Sequence, residues 1–201
     1  MKNIRSISLL IVISFLFTNC GNRNDAETIA KFKKDSTELT ILVRNIFKWH
    51  QSDSGKVDFP YQISKSLYTG IDWKSHKKRL KILEKTNYFS KDFLKNYQAI
   101  ALKMDNALKK SDPSWRSIDD VPSFEPENDH WCECQEYPDI YWNIISLSNF
   151  EFNKDSVRFN WSWQVDSNNL KLINKAHAVY KNGKWQISYF EGFDIKHFGI
   201  Y

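Results

Sequence analysis

Residues 176–189 read AHAVYKNGKWQISY and are typical of a β-hairpin. Apolar and polar residues alternate on both sides of Asn182-Gly183, a dipeptide that favours a two-residue turn because both central residues of such a turn need positive φ. A turn there pairs Ala176 with Tyr189 at the far end of the hairpin and places six residues on one apolar face. The six are Ala176, Ala178, Tyr180, Trp185, Ile187 and Tyr189. His177 is expected on the opposite face, away from any covering helices.

The same alternation occurs upstream of the hairpin. Five apolar residues alternate with polar ones there: Val157, Phe159, Trp161, Trp163 and Val165. This spacing predicts a half-buried strand with its large side chains on one face. From Ile140 onward we therefore expect an antiparallel meander of about four strands.

Helical periodicity dominates the chain before residue 110. Asp35 and Glu38 form a capping-box pattern ahead of apolar residues spaced three and four apart, which predicts that the first helix of the domain begins at Asp35. A second helix is predicted to begin near Asp72 and a third at Ser90. Their predicted core-facing residues are Trp73, His76, Leu80, Leu83, Phe93, Leu94, Tyr97, Ala101, Met104 and Leu108.

Three helices followed by about four antiparallel strands predict an α+β domain over residues 35–201. In this domain N-terminal helices pack on one face of a curved sheet. The aromatic side chains of that face are expected to form the core or to line a ligand pocket beneath the helices. The candidate pocket-lining residues are Trp161, Trp163, Tyr180, Trp185 and Tyr189.

Residues 1–19 are typical of a bacterial lipoprotein signal peptide. A basic start precedes an apolar run at 7–17, which is too short for a membrane-spanning helix, and Thr18-Asn19-Cys20 follows the run. We expect cleavage before Cys20, acylation of its thiol with palmitate among the chains, and a polar tether over residues 20–34, with the start of a helix within the tether as the alternative. The predicted location is the cell envelope, at the outer membrane, where the lipid anchors the exported protein. An ordinary signal peptide with an incidental cysteine is the alternative.

Charge is unevenly distributed along the chain. Residues 31–116 carry nineteen Lys and Arg against nine Asp and Glu, whereas residues 117–155 carry one lysine against ten acids. The basic stretch is typical of the solvated faces of helices, and attraction to anionic lipid headgroups or another polyanion is the alternative. Nucleic acid is not expected as a partner of an exported lipoprotein.

Residues 130–134 read HWCEC and contain three side chains of the types that bind zinc. Structural zinc sites usually need a second pair of cysteines, which the sequence lacks, so no metal is predicted. With Cys20 acylated, Cys132 and Cys134 are an even pair in an exported protein, which favours a disulfide between them. Free or intermolecular thiols are the alternative.

Two short stretches resemble a family of uncharacterised bacterial lipoproteins. They are CQEYPDIYW at 134–142 and the Asn-Gly-x-Trp-x-Ile pattern at 182–187. That family is assigned the nuclear-transport-factor-2-like fold, a cone-shaped α+β architecture that ketosteroid isomerase and scytalone dehydratase also adopt. The resemblance implies this fold and a lipoprotein location, and it implies no catalytic residues because the family has no agreed activity.

These observations favour a non-enzymatic, envelope-anchored protein whose domain binds a small molecule, a glycan or a protein without a cofactor. One alternative is an immunity or accessory protein that caps a toxin or an enzyme through its acidic region. Another is an enzyme with a pocket in which Glu136 or Asp139 acts as a general base, since aromatic surroundings raise the pKa of a carboxyl group. The sequence does not predict an oligomeric state.

Overall fold

The computed structural model of the protein describes residues 21–52, 57–111, 126, 128–135, 141–163 and 173–199. The chain divides into two compact units, Met1–Lys34 and Asp35–Tyr201, and the second contains every strand of the described residues. The predicted signal peptide and lipidation residue Cys20 lie outside the described residues, as does Val165 of the predicted strand.

Four helices and six strands make up the described chain, together with two 3-10 turns. In chain order they are α1 (Gly21–Ser52), β1 (Tyr61–Ser64), β2 (Leu67–Ile71), α2 (Trp73–Thr86), α3 (Lys91–Lys110), α4 (Tyr141–Ile144), β3 (Ile145–Asn153), β4 (Ser156–Trp163), β5 (Asn174–Lys181), β6 (Lys184–Phe190) and the 3-10 turns Glu191–Phe193 and Ile195–His197. Strands β3 to β6 form one antiparallel sheet in that order, while β1 and β2 pair separately. The predicted α+β class and four-stranded meander are therefore confirmed.

Helix α1 begins at Gly21, so the prediction that it begins at Asp35 is wrong. Residues 22–34 contain no Gly or Pro that would interrupt a helix, and the segment predicted as a tether continues it. Asp35 is not a cap but a buried residue, and its Oδ1 accepts a hydrogen bond from Trp185 Nε1 over 3.4 Å. Neither α1 nor any other helix of the described residues combines the length and apolarity needed to cross a membrane.

Side-chain caps explain where α2 and α3 begin. The Asp72 side chain accepts hydrogen bonds from the backbone N–H groups of Lys74 and Ser75, over 3.0 and 3.1 Å. Ser90 Oγ accepts one from the backbone N–H of Phe93 over 3.3 Å. Each bond satisfies a donor that the first turn of a helix leaves unpaired. Both predicted starts are confirmed.

The β5–β6 hairpin turns at Asn182-Gly183 as predicted, and both residues have positive φ, 54° and 78°. The four residue pairs nearest the turn follow the predicted register. Trp185 and Ile187 of β6 are consequently buried on the inner face of the sheet, together with Ala178 of β5.

A β-bulge changes the register at the far end of this hairpin. Ser188 is an extra residue on β6, so Ala176 pairs with Phe190 and not with Tyr189. Tyr189 pairs with His177 instead, and the two rings stack with their centroids 4.7 Å apart. The prediction that Tyr189 shares the inner face is therefore wrong, and Phe190 takes that place in the core.

The sequence pattern does not predict two of the elements. Strands β1 and β2 form a hairpin around Lys65-Ser66, and both turn residues have positive φ, 50° and 61°. Neither residue type favours that conformation, so the turn has no clear local signal. Helix α4 is a single turn that precedes β3, and the sequence carries no clear signal for it either.

The core of the second unit lies between the inner face of the four-stranded sheet and the helices. Phe47 of α1 packs against Trp161 and Trp163 of β4, with ring centroids 4.7 and 6.1 Å apart. Phe93 of α3 reaches the same layer, where its ring centroid is 6.4 Å from that of Phe190. These large rings account for the high aromatic content of the chain.

Candidate functional site

A crevice lies at the end of the sheet that carries the β5–β6 turn. Its volume is about 380 Å³, and we call it the tip crevice. Its walls come from α1, from the connection between α2 and α3, and from the β5–β6 turn. The lining residues are Glu38, Ile41, Leu42, Asn45, Thr86, Asn87, Tyr88, Gly183, Lys184 and Trp185.

The sequence explains how the two walls are held. The lining residues of α1 are Glu38, Ile41, Leu42 and Asn45. They stand at helical positions i, i+3, i+4 and i+7, and so they share one face. Opposite them, the α2–α3 connection follows the edge of β6: the Ile187 N–H donates to Tyr88 O over 2.8 Å, and Gln186 Nε2 donates to Asn87 O over 3.1 Å.

The tip crevice combines apolar surface with a few polar groups. Its polar side chains are Glu38, Asn45, Thr86, Asn87 and Lys184. Trp185 is 5% exposed, and its bond to Asp35 fixes the orientation of the indole ring. Such a combination is typical of ligand sites, where apolar surface supplies affinity and polar groups set orientation.

Exposed apolar side chains lie next to the Trp185 ring. The Tyr180 ring centroid is 5.2 Å from it and that of Phe152 is 6.2 Å from it. Tyr180 is 39% exposed and Phe152 is 37% exposed, while Ile41 on the α1 wall is 53% exposed. The tip crevice therefore opens beside an apolar surface that could extend a contact with a bound molecule.

The five predicted pocket-lining residues occupy three environments. Trp161 and Trp163 are buried in the core, where their ring centroids are 5.3 Å apart. Trp185 lines the tip crevice, and Tyr180 packs against the Trp185 ring without lining the crevice. Tyr189 lies on the opposite face of the sheet beside His177. The helical spacing places the α1 lining residues on one face, but neither this spacing nor the α2–α3 connection signals that a crevice forms there.

Cys132 and Cys134 are joined by a disulfide with an S–S distance of 2.05 Å. Both are buried in a tight turn, in which Asp129 O accepts a hydrogen bond from the Glu133 N–H over 2.7 Å. Because the two sulfurs are bonded to each other, they cannot act with His130 as thiolate ligands of zinc. Among the residues described, no cluster of His, Cys, Asp and Glu side chains could hold a metal ion.

The candidate general bases Glu136 and Asp139 lie outside the described residues. Glu133 is the described carboxyl group that precedes them. Burial raises its pKa, the negative charge of Glu191 adds to that effect, and His197 opposes it from 3.9 Å away. Glu133 does not line the tip crevice.

A buried cluster centred on Asp58 ties distant segments together, and sequence reasoning misses it. Asp58 Oδ1 accepts hydrogen bonds from Arg79 Nε and Nη2 over 3.0 and 2.9 Å. The Tyr97 hydroxyl lies 2.8 Å from the same oxygen and donates to this residue, while Trp131 Nε1 donates to Oδ2 over 2.7 Å. Burial raises the pKa of Tyr97 well above its usual range, so the phenol stays protonated. Both carboxylate oxygens of Asp58 accept hydrogen bonds from within the fold, and we therefore interpret the cluster as structural.

His76 completes this buried cluster. It is fully buried, and its ring stacks on Tyr97 and Phe59 with centroid distances of 5.5 and 6.1 Å. Burial lowers the pKa of His76, although the Asp58 backbone and the Gln98 side chain oppose the shift. The imidazole is therefore neutral at pH 7.

No family model, no curated protein and no solved structure matches the chain. The nuclear-transport-factor-2-like fold and the lipoprotein family therefore stay predictions from the sequence.

Proposed function

We propose that the protein is an exported, lipid-anchored binding protein of the bacterial envelope and that the tip crevice holds its ligand. The observation that carries this proposal is the mixed lining of the crevice, where Tyr88 and Trp185 lie beside the side-chain amides of Asn45 and Asn87. Its volume of about 380 Å³ falls within the range of small-molecule sites, roughly 300–1,000 Å³.

A carbohydrate is the ligand class that this lining matches best. A sugar ring presents C–H groups, which pack on aromatic surface, and hydroxyl groups, which both donate and accept hydrogen bonds. Amide and carboxylate side chains such as Asn45 and Glu38 are suitable partners for those hydroxyl groups. An anchored domain with such a crevice would bind glycans at the membrane surface.

Calorimetric titration with saccharides tests this proposal. We suggest N-acetylglucosamine, glucose and their β-1,4-linked dimers as probes. Asn45→Ala removes a polar group of the crevice and is expected to weaken saccharide binding at least fivefold. Asn106→Ala changes an exposed amide of α3 outside the crevice and is the matched control. Absence of saccharide binding, or equal losses in both variants, would contradict the carbohydrate assignment.

The anchor is tested separately, since it depends on the sequence of residues 1–20. Metabolic labelling with palmitate is expected to label the wild-type protein and not the Cys20→Ser variant. The variant is also expected to leave the membrane fraction. A wild-type protein without label would contradict the lipid anchor while leaving the crevice proposal untouched.

A protein partner is the second candidate, because Ile41, Phe152 and Tyr180 expose apolar surface beside the crevice. Exposed apolar patches mark interaction sites on many proteins. Under this alternative Ile41→Asp abolishes capture of a partner from envelope extracts, and Asn45→Ala leaves it unchanged. Under the carbohydrate proposal Asn45→Ala weakens ligand binding more than Ile41→Asp does.

A further inference from the structure

Four polar residues, one from each strand, form a row across the outer face of the sheet, opposite the buried aromatic side chains. They are Glu151 on β3, Arg158 on β4, His177 on β5 and Tyr189 on β6. Each residue pairs in register with the next one. We call these four residues the outer row.

Two β-bulges build the outer row. One lies in the β3–β4 pairing between Ser148 and Glu151, and the other lies in the β5–β6 pairing at Ser188. An extra residue in a strand moves the residues that follow to the other face, and the second bulge turns Tyr189 outward in this way. The row thus depends on two local departures from regular alternation.

A groove of about 400 Å³ lies against the outer row. Glu151, Arg158 and His177 line it, and Ser156 and Ser188 add hydroxyl groups. The ring of Tyr189 stacks on that of His177 at an interplanar angle of 29°. Tyr189 does not line the groove itself, and its ring positions the imidazole that does.

The polar groups of the outer row are not satisfied within the fold. Among the residues that the structure describes, none of the four side chains makes a hydrogen bond or an ion pair with another. Glu151 and Arg158 are cross-strand neighbours, yet no ion pair joins them. The guanidinium, imidazole and phenol groups consequently keep their donors for solvent or for a ligand.

The protonation states of the row suit a bound anion. Partial burial lowers the pKa of His177, the charge of Arg158 lowers it further, and Glu151 opposes both effects. Burial raises the pKa of Tyr189 to about 12, with a further contribution from nearby carboxylates. At pH 7 the imidazole and the phenol are therefore neutral, and the charged groups of the row are the Arg158 guanidinium and the Glu151 carboxylate.

We propose that the outer row binds a small anion through a carboxylate or phosphate group. The anion pairs with the Arg158 guanidinium, whose planar fork matches the geometry of both groups. His177 donates a hydrogen bond from the next strand, and Tyr189 positions the imidazole by stacking on it. Glu151 accepts one from a hydroxyl or amine group of the same ligand, so hydroxy acids and sugar phosphates are the fitting classes. This site is separate from the tip crevice and does not depend on the carbohydrate proposal.

Calorimetry with inorganic phosphate and with lactate at low ionic strength tests the outer row. Arg158→Gln is expected to weaken binding of both probes at least tenfold. Lys181→Gln removes the same charge from the same face at a residue that does not line the groove, and it is expected to change the affinity less than twofold. Glu151→Gln is expected to strengthen phosphate binding, because it removes a negative charge beside the site.

Vesicles distinguish a soluble anion from a lipid headgroup. Binding of phosphatidylglycerol vesicles that requires Arg158, without binding of free phosphate, would identify a headgroup as the source of the anion and would support the site. Equal losses in Arg158→Gln and Lys181→Gln would instead show general surface charge and overturn the proposal. Absence of binding to phosphate, lactate and phosphatidylglycerol would overturn it as well.

Discussion

The buried cluster and the outer row contain the same four types of side chain and differ in what those side chains contact. Each has a carboxylate, an arginine, a histidine and a tyrosine: Asp58, Arg79, His76 and Tyr97 in the buried cluster, and Glu151, Arg158, His177 and Tyr189 in the outer row. In the buried cluster the carboxylate accepts hydrogen bonds from the arginine and from Trp131. In the outer row no such bond joins the described residues.

Residue types alone therefore do not define a functional site. The polar groups of Asp58, Arg79 and Tyr97 satisfy one another inside the fold and stabilise it, because each would be costly to leave unpaired away from water. Polar groups that face a groove without partners can be satisfied by a ligand at little cost to the fold. Predictions that change matched residues in the two places therefore separate stability from binding.

The largest effect is expected for Asp58→Ala. It should lower the free energy of unfolding by about 3–5 kcal/mol, because it leaves the Arg79 guanidinium buried without its carboxylate partner. Arg79 is only 4% exposed, so solvent cannot replace that partner. Urea unfolding measures the loss, and Glu151→Ala is the matched control, with a change within about 0.5 kcal/mol. Similar losses in the two variants would remove the distinction between the clusters.

A smaller effect is expected for Tyr97→Phe. The variant removes a hydroxyl group that donates to Asp58 and keeps the ring that packs on Phe59, at a centroid distance of 4.8 Å. Hydrogen bonds to charged groups contribute about 1.5–3 kcal/mol, and the free energy of unfolding should fall by that amount. Tyr189→Phe in the outer row should change it by about 0.5 kcal/mol or less. Chemical denaturation of both variants at pH 7 measures the two changes in the free energy of unfolding.

The smallest effect concerns the pH dependence of stability. The pKa of His76 is lowered in the folded protein, so the unfolded chain binds protons more readily near the ordinary pKa of histidine, about 6.5. Stability is therefore full above about pH 6.5 and falls as the pH decreases through the lowered pKa of the folded state. Thermal unfolding between pH 7.5 and 5 should show this decline, and His76→Gln should flatten it. An unchanged slope in His76→Gln would exclude this histidine as its source.

His177 provides the control for this pH dependence. Its pKa is also lowered, but it is only partly buried and solvent can stabilise its charged form. His177→Gln should therefore flatten the decline less than His76→Gln does. A larger effect from His177 would mean that the outer row is coupled to stability.

Features that depend on adjacent residues are predictable from this sequence. Asn182-Gly183 specifies its turn through φ alone, and Asp72 and Ser90 cap their helices through side chains that reach only two or three residues ahead. The α+β class follows from such local signals taken in order. None of these predictions requires a contact between residues that are distant in the sequence.

Features that depend on tertiary contacts or on one extra residue are not predictable in the same way. Asp35 has the pattern of a helix cap, but its partner is Trp185, far along the chain. Asp58 meets Trp131 only after folding. The bulge at Ser188 has no local signal, and it moves Tyr189 from the inner face to the outer row. Of the predicted pocket-lining residues, only Trp185 lines the tip crevice.

One measurement compares the outer row, which faces a groove, with the buried cluster, which lies inside the fold. An NMR titration of the histidine side chains would follow His76 and His177 with and without inorganic phosphate. We expect phosphate to shift the His177 resonances and to raise the pKa of His177, because a bound anion stabilises the imidazolium form. His76 should not respond, and Arg158→Gln should abolish the response of His177. His177 resonances that change with neither phosphate nor phosphatidylglycerol, or an equal response in Arg158→Gln, would contradict the account.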